Sequence, residues 1–261
     1  MTPRTEGGRR FLAAASPASS LHIRAGFPPG AIRSDCLSGS PRVASGRISP
    51  QTGRVIALID YGSGNLRSVH KALLKVGAEV RLVREGAEFA DAGAVVLPGV
   101  GAFDDCLHAL QRQELLEAIR AFIAKGRPFL GICVGYQALF ERSEEFNSSA
   151  AGLGVFKGPV VRFTPQPGLK IPQIGWNRLE FSGRDCPLFR GIEDGSYVYF
   201  VHSFFPRPED PSVVASWTDH GGRFASAVWK DNVFATQFHP EKSQEIGLGI
   251  LRNFVELTAK A

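Results

Sequence analysis

The segment that most constrains the fold of this chain runs from Pro128 to Glu141, where an apolar strand pattern ends at a cysteine. It reads Pro-Phe-Leu-Gly-Ile-Cys-Val-Gly-Tyr-Gln, and Ala138 to Glu141 then show a helical pattern. A side chain at such a strand-to-helix turn points away from the sheet edge, which is the nucleophile-elbow arrangement with Cys133 in place of serine. Because a helix N-terminus favours the thiolate, the pattern predicts a nucleophile that attacks a carbonyl carbon.

Length and charge limit the classes of protein that the chain can represent. Its 261 residues suffice for one sizeable α/β domain or two small ones, and no apolar run is long enough to cross a bilayer. The formal net charge is +5, but residues 1–50 hold seven arginines against two acidic side chains, and residues 51–261 balance 23 basic with 23 acidic groups. The basic character therefore belongs to the N-terminal segment and does not predict nucleic-acid or membrane binding.

The cysteines indicate free thiols in a reducing compartment. No CxxC pair occurs, and the spacing predicts neither a zinc site nor a disulfide framework. We therefore expect a cytoplasmic protein without a metal or cofactor. The four cysteines are Cys36, Cys106, Cys133 and Cys186.

The N-terminal residues 1–53 differ in composition from the rest and allow three interpretations. They are rich in Arg, Ser, Gly, Pro and Ala without a sustained period, which predicts a disordered extension. The same composition fits an organelle transit peptide, in which case the protein would be located in a plastid. Alternatively, translation starts further in at a non-standard codon, for example at Val55, since Met1 is the only methionine. We favour disorder without function.

Residues 54–261 are predicted to form one α/β domain with an open, mostly parallel central sheet and helices on both faces. Strand and helix patterns alternate up to Cys133, and this βαβαβ order favours right-handed parallel crossovers. In the second half, short strands between Gly and Pro turns predict additional antiparallel pairing, before a last helix at about 244–259. The early strands are Val55–Ile59, Glu79–Val83 and Ala94–Leu97, and the predicted helices cover Leu66 to Val76 and, as one long element, Asp104 to Lys125. The later strands are near Val160–Phe163, Tyr197–His202, Val213–Trp217, Phe224–Trp229 and Val233–Gln237.

A cysteine nucleophile requires a base and a group that orients the base. His239 follows an apolar strand and is separated from Glu241 by Pro240. Whether the carboxylate turns onto the imidazole depends on a local bend that the sequence does not fix. If it does, Cys133, His239 and Glu241 form a nucleophile–base–orienter triad. Taken alone, a His-Pro-Glu at a strand end is more often a structural turn.

An acyl-transfer site also needs hydrogen-bond donors for the oxyanion. The backbone N–H of Val134 is one candidate, and the loop Pro98–Gly101 at the end of another strand offers a second near Gly99 or Val100. A competing motif, Gly62-Ser63-Gly64, follows the first strand as a phosphate-binding loop would. Arg67 replaces the third glycine of the dinucleotide fingerprint, so we give nucleotide binding little weight.

Together these segments make the chain resemble the class I glutamine amidotransferases, which have a flavodoxin-like fold. The resemblance covers nearly all of 54–261 and rests on PGVGAF at 98–103, GICVGYQ at 131–137 and FHPEKS at 238–243. A narrower resemblance is to the glutaminase subunits of imidazole glycerol phosphate synthase in histidine biosynthesis. It rests on DYGSGNLRSV at 60–69, IGWN at 174–177 and VHSF at 201–204.

The resemblance implies hydrolysis of L-glutamine to glutamate and ammonia through a glutamyl thioester on Cys133. It further implies that ammonia passes to a separate (β/α)₈-barrel cyclase subunit, which makes imidazole glycerol phosphate and an aminoimidazole carboxamide ribotide. By the same likeness, one oxyanion donor in the Gly99–Val100 region flips when the partner's site is filled. Glutamine would contact Gln137, Glu145, His202 and Ser203, and the partner would dock near Asn65, Trp176, Asn177 and Lys242.

Two positions depart from the family pattern, and two rival functions remain. Phe204 stands where tyrosine is frequent and Tyr136 where methionine is common, so details of the substrate pocket can differ. One rival is another class I glutaminase that serves a different synthase, against which the 174–177 segment argues. The other is a non-catalytic binding protein, which usually lacks a member of the triad.

Overall fold

The computed structural model describes residues 55–258, which lie within one compact unit. The extension predicted for 1–53 and the last residue predicted for the C-terminal helix, Ala259, lie outside the described residues. No helix in the described range is long and apolar enough to span a bilayer.

The strands are β1 Val55–Ile59, β2 Glu79–Val83, β3 Ala94–Leu97, β4 Phe129–Ile132, β5 Arg142–Ser143, β6 Pro159–Arg162, β7 Gln173–Arg178, β8 Glu180–Phe181, β9 Tyr197–His202, β10 Phe204–Pro206, β11 Val214–Asp219, β12 Arg223–Lys230 and β13 Val233–Thr236. The helices are α1 Leu66–Lys75, α2 Phe103–Arg112, α3 Leu115–Ala124, α4 Val134–Gln137 and α5 Gln244–Thr258.

The central sheet has eight strands in the order β2-β1-β3-β4-β13-β12-β11-β8. The pairs from β2 to β13 are parallel, and the pairs from β13 to β8 are antiparallel. Helix α1 connects β1 to β2, towards one edge of the sheet. Helices α2 and α3 connect β3 to β4, in the opposite direction. Right-handed crossovers therefore place these helices on opposite faces. The predicted α/β fold class is confirmed.

The inner parallel strands consist almost entirely of buried residues because both faces of the sheet are covered there, whereas the edge strand β2 buries only Val83. Every residue of β3, β4 and β13 is buried. Two smaller sheets lie beside the central one. β10, β6 and β5 form the first, and β7 and β9 form an antiparallel pair. The sequence did not reveal β7, since its large apolar side chains, Ile174 and Trp176, lie on the exposed face rather than the buried one.

The helix predicted over Asp104 to Lys125 is wrong as a single element. It consists of α2 and α3, separated at Glu114, whose φ of 56° and ψ of 27° are left-handed. One left-handed residue ends the i to i−4 hydrogen-bond ladder and changes the direction of the helix axis. Leu110 and Leu115 are both fully buried, so each helix presents its own apolar side to the core.

The helix expected after Cys133 is also shorter and earlier than predicted. α4 is a single turn, Val134–Gln137, and it is followed by a buried turn segment at Ala138–Phe140 and the half-buried Glu141, with no helical continuation. Its hydrogen bonds run from Tyr136 N–H and Gln137 N–H to Cys133 O, at 3.0 Å each. With so few aligned peptides, the helix dipole contributes less to the site than the sequence suggested.

Helix α5 packs directly on the turn that follows β13. A Cβ atom added to Gly247 would lie 1.9 Å from the carbonyl oxygen of Pro240, which is backbone and has no room to move aside. The close contact of these two backbones therefore fixes the turn Pro240–Lys242 against the helix.

We predict that Gly247→Ala destabilises the chain by about 1–3 kcal/mol, since the added methyl group forces the helix away from the turn. Gly249→Ala is the matched control on the same helix, because its Cβ would meet only the flexible end of Ile192 at 2.9 Å. Urea unfolding followed by circular dichroism measures both. Equal stability of the two variants would show that the Gly247 contact is not needed.

Candidate active site

Cys133 is held in a backbone conformation that few non-glycine residues adopt. Its φ is 54° and its ψ is −108°, and its N–H donates to Thr236 O on the neighbouring strand at 2.8 Å. The next turn fits only because Gly135 has no side chain, since a Cβ there would lie 2.0 Å from Leu97 O. The surrounding structure therefore maintains the strain that presents the sulfur, as at other functional turns.

The bend that the sequence left open places Glu241 on His239. Pro240 begins a 3₁₀ turn, and the Oε1 atom of Glu241 lies 2.8 Å from Nδ1 of His239. Both side chains are essentially inaccessible to solvent. The backbone of His239 is fixed from two sides, because its N–H donates to Tyr199 O and its carbonyl accepts from the Ser243 hydroxyl at 2.7 Å.

The second ring nitrogen of His239 faces the cysteine. Nε2 is buried and has no hydrogen-bond partner among the described residues. Burial alone would lower the pKa of His239, but the nearby Cys133 sulfur and the hydrogen-bonded Glu241 carboxylate outweigh burial and raise that pKa to about 9. The imidazole is therefore protonated at neutral pH and places a positive charge beside the sulfur.

A buried pair of amides supports the sulfur from the other side. Gln237 is fully buried, and its Nε2 donates to Cys133 Sγ at 3.6 Å. Its Oε1 accepts from Nε2 of Gln137 at 3.2 Å, and the same Gln137 nitrogen donates to Phe204 O at 3.0 Å. Gln137 therefore serves to order the wall of the site as well as to line it.

His202 belongs to the same wall, but it is neutral where His239 is charged. Burial lowers the pKa of His202 to about 3, so the ring is neutral. Nδ1 lies 2.9 Å from Phe204 O and Nε2 lies 3.0 Å from the side-chain oxygen position of Gln173. A neutral ring donates through one nitrogen and accepts through the other, so Nδ1–H donates to Phe204 O and the Gln173 amide presents its NH₂ group to Nε2.

The oxyanion donors expected from the sequence lie beside each other, but they are not arranged to bind an oxyanion. Val134 N–H, which follows the nucleophile, donates to Gly99 O at 3.4 Å. A carbonyl oxygen thus occupies the direction from which a substrate oxyanion would be stabilised. The loop at 98–101 must turn at the Gly99–Val100 peptide before this N–H is available to a substrate.

A cavity of about 410 Å³ opens above the sulfur. It brings together Cys133, His239, Gln137, Glu145, His202 and Ser203, all of which the sequence assigned to the site, with Val100 and Val134 from the oxyanion region. Burial raises the pKa of Glu145 although its Oε2 accepts from Phe103 N–H at 2.8 Å. The cavity is large enough for a small polar molecule, and the Glu145 carboxylate and the Cys133 thiol both belong to residues that line it.

Of the four predicted docking residues, only Lys242 lines the cavity, and the other three have separate contacts. Asn65 reaches inward, where its Nδ2 lies 3.3 Å from Oε1 of Glu241. Lys242 places its ammonium group 5.7 Å from the centre of the Tyr199 ring, and Trp176 is 45% exposed with its edge toward the same ring. Asn177 uses its amide within the chain, since Nδ2 donates to Asp219 O at 2.8 Å.

Other motifs have local roles in the structure. In the Gly62-Ser63-Gly64 turn, Gly62 N–H donates to Asp60 Oδ1 and the Ser63 hydroxyl donates to Val100 O, so these groups serve the turn itself. No group of His, Cys, Asp and Glu within 55–258 is arranged to hold a metal ion.

The sequence analysis missed Gln237, although a polar residue at the end of an apolar strand is a signal that could have identified it. It also missed Phe146 and Pro172 of the cavity wall, which no local pattern marks.

Comparison with known proteins gives a consistent result. The profile of the family described as Glutamine amidotransferase class-I matches residues 57–257. The chain is 50% identical over 211 residues to "Imidazole glycerol phosphate synthase subunit HisH" of Syntrophotalea carbinolica, covering 78% of this chain and 100% of that protein. It is 52% identical over 203 residues to the protein of the same name from Thermosynechococcus vestitus, covering 77% and 96%.

Solved structures share the fold at low sequence identity. The "Structure of PurLQS from Thermotoga maritima" aligns with a TM-score of 0.61 at 22% identity, over 79% of this chain and 97% of the other. A "Crystal structure of glutamine amidotransferase" aligns with a TM-score of 0.60 at 22% identity, over 78% and 98%.

We predict that Gln237→Met slows alkylation of Cys133 by iodoacetamide about 3- to 10-fold at fixed pH, since a hydrogen-bond donor to the sulfur is lost without much change in volume. The exposed Gln111→Met is the matched control. Peptide mapping by mass spectrometry identifies the modified cysteine. Burial raises the pKa of Cys106 to about 12 and of Cys186 to about 11, so neither competes. An unchanged rate would mean that the amide does not support the thiolate.

Proposed function

The chain belongs to the class-I glutamine amidotransferase family, and we propose that it is the glutaminase subunit of imidazole glycerol phosphate synthase in histidine biosynthesis. The observation that carries the proposal is the buried Cys133–His239–Glu241 arrangement beneath a cavity, in a chain about 50% identical to relatives with that name. The substrate is L-glutamine and the products are glutamate and ammonia.

The reaction follows from the protonation states of the pair. Cys133 Sγ attacks the side-chain amide carbon of glutamine, and the C–N bond of the resulting tetrahedral intermediate breaks as His239 Nε2–H gives its proton to the leaving ammonia. The product of this half-reaction is a glutamyl thioester and a neutral imidazole. His239 then accepts a proton from water as the water oxygen attacks the thioester carbon, which releases glutamate and restores the thiolate–imidazolium pair.

Each remaining group of the site has a stated task in this proposal. Glu241 accepts a hydrogen bond from His239 Nδ1–H and so keeps Nε2 directed at the sulfur. Val134 N–H and one N–H of the Gly99–Val100 region bind the oxyanion. The Glu145 carboxylate is suited to the α-ammonium group of glutamine. Gln137, His202 and Ser203 shape the wall along the substrate.

The partner is a (β/α)₈-barrel cyclase subunit, which docks near Asn65, Trp176, Asn177 and Lys242. The cyclisation chemistry belongs to that subunit, and this chain supplies ammonia. Ammonia is a nucleophile only in its neutral form, so passage through a closed channel prevents protonation by water. Docking also gives a reason for the closed oxyanion loop, since glutamine is then hydrolysed only when the product can be used.

The first test is Cys133→Ala in the complex with a barrel cyclase. We expect glutamine-dependent synthesis to fall at least about 10³-fold, because no thioester forms, while ammonia-dependent synthesis remains near the wild-type rate. Glutamate release and imidazole glycerol phosphate formation are measured separately. Cys186→Ala, which is buried outside the cavity, is the control. Wild-type glutamate release by Cys133→Ala would contradict the nucleophile, and failure of the wild-type chain to support any barrel cyclase would contradict the subunit assignment.

The second test is the pH dependence of kcat/KM. The raised pKa of His239 keeps the imidazolium proton up to about pH 9, so activity should be lost as the pH rises through that value. Glu241→Gln removes one of the two groups that raise this pKa, and the alkaline limb should move down by about one pH unit or more. The exposed Glu245→Gln is the matched control. An alkaline limb that is the same in wild type and Glu241→Gln would contradict the assigned role of Glu241.

A further inference from the structure

Tyr61 carries a buried hydroxyl group for which the described structure provides no hydrogen-bond partner. The side chain is 3% exposed, and its oxygen has no contact with solvent. The Cys106 thiol and the Val100 backbone act on its pKa as weak hydrogen-bond partners, but neither contact has the geometry of a full hydrogen bond. Burial raises that pKa far above the usual value, so the hydroxyl keeps its proton and stays a donor. An unpaired buried hydroxyl is costly and calls for an explanation.

The hydroxyl lies against the oxyanion loop, defined here as residues 98–101. A Cβ atom added to Gly99 would lie 3.0 Å from Tyr61 Oη, so the ring reaches the backbone of this residue. The turn that carries Tyr61 packs along the same loop, because the Ser63 hydroxyl donates to Val100 O at 3.5 Å. Asp60 anchors this turn through its 2.7 Å ion pair with Arg84.

The loop must exchange hydrogen-bond partners if Val134 N–H is to bind an oxyanion. At present Gly99 O accepts from Val134 N–H. A planar peptide directs its C=O and N–H to opposite sides, so turning the Gly99–Val100 peptide brings an N–H toward the cavity and moves Gly99 O away from it. The displaced carbonyl then requires a new donor inside the protein, because an unpaired buried carbonyl is unfavourable.

We propose that the Tyr61 hydroxyl is the donor that receives Gly99 O when the oxyanion loop turns into its active arrangement. Tyr61 is thus a positioning residue for the oxyanion loop, and it does not touch the substrate. The assignment rests on the proposed glutaminase function. It explains why the resting structure contains a spare donor beside the one carbonyl that has to move.

The test compares Tyr61→Phe with wild type in the isolated chain and in the complex with a barrel cyclase and its nucleotide substrate. In the complex we expect kcat for glutamate release to fall about 3- to 10-fold, the effect of losing one hydrogen bond. KM for glutamine should stay within about twofold, because the pocket is untouched. The ratio of activated to basal activity should fall accordingly.

Thermal unfolding of the isolated chain gives a second readout that needs no activity. Tyr61→Phe removes a hydroxyl without a partner, so the Tm should be unchanged or higher. Tyr136→Phe is the matched control, since its buried hydroxyl donates to Ala225 O at 3.3 Å and its loss should lower the Tm by about 2–4 °C. A merely structural role for Tyr61 would instead give both variants the same loss of Tm.

Two results would overturn the proposal. One is a fall in Tm for Tyr61→Phe as large as for Tyr136→Phe, which would mean that the hydroxyl is already bonded at rest. The other is an unchanged activated kcat in a complex whose wild-type form is stimulated by the nucleotide. If wild type is not stimulated at all, the subunit assignment fails on its own, and the Tm comparison still decides whether the hydroxyl is a spare donor.

Discussion

The buried contact between His239 and Glu241 is the interaction on which the arrangement of the site depends. Two titratable side chains with almost no exposure are stable only when they pair closely and their backbone is fixed. The turn at Pro240 provides the pairing at 2.8 Å, and Ser243 and Tyr199 fix the His239 backbone. Helix α5 then holds the turn through Gly247. The close carboxylate helps to raise the pKa of His239, so the imidazole keeps its positive charge beside the sulfur.

In this site the groups around the nucleophile are in place, whereas the oxyanion hole is not formed. Gln237 already donates to the Cys133 sulfur, and the His239 imidazole is already charged beside it. Val134 N–H, by contrast, is bonded to Gly99 O. Transition-state stabilisation by such donors is usually the larger contribution to the rate. Under the proposed function, a turn of one peptide would control glutamine hydrolysis without any movement of the triad.

The sequence predicted those features whose cause is local. The apolar strands, the elbow at Cys133 and the α/β fold class follow from periodicity and from glycine positions. The split of the long helix at Glu114 was not predictable, because a left-handed glutamate leaves no local signal. The orientation of the Gly99 carbonyl depends on contacts with Val134, which is far away in sequence. Likewise, the alignment of Gln237 with the sulfur requires the pairing of β13 with β4, which only the folded sheet provides.

The two histidines of the pocket show why residue type alone does not fix chemistry. Both are buried at the ends of strands, and burial lowers the pKa of both. His239 faces a carboxylate and a thiol, whose combined effect exceeds the cost of burial and keeps the ring charged. His202 faces a carbonyl and an amide, which carry no charge, so burial determines its state and the ring is neutral. The neutral His202 ring avoids charge repulsion with the His239 imidazolium. The proton available for transfer is then the one on His239 Nε2, which faces the sulfur.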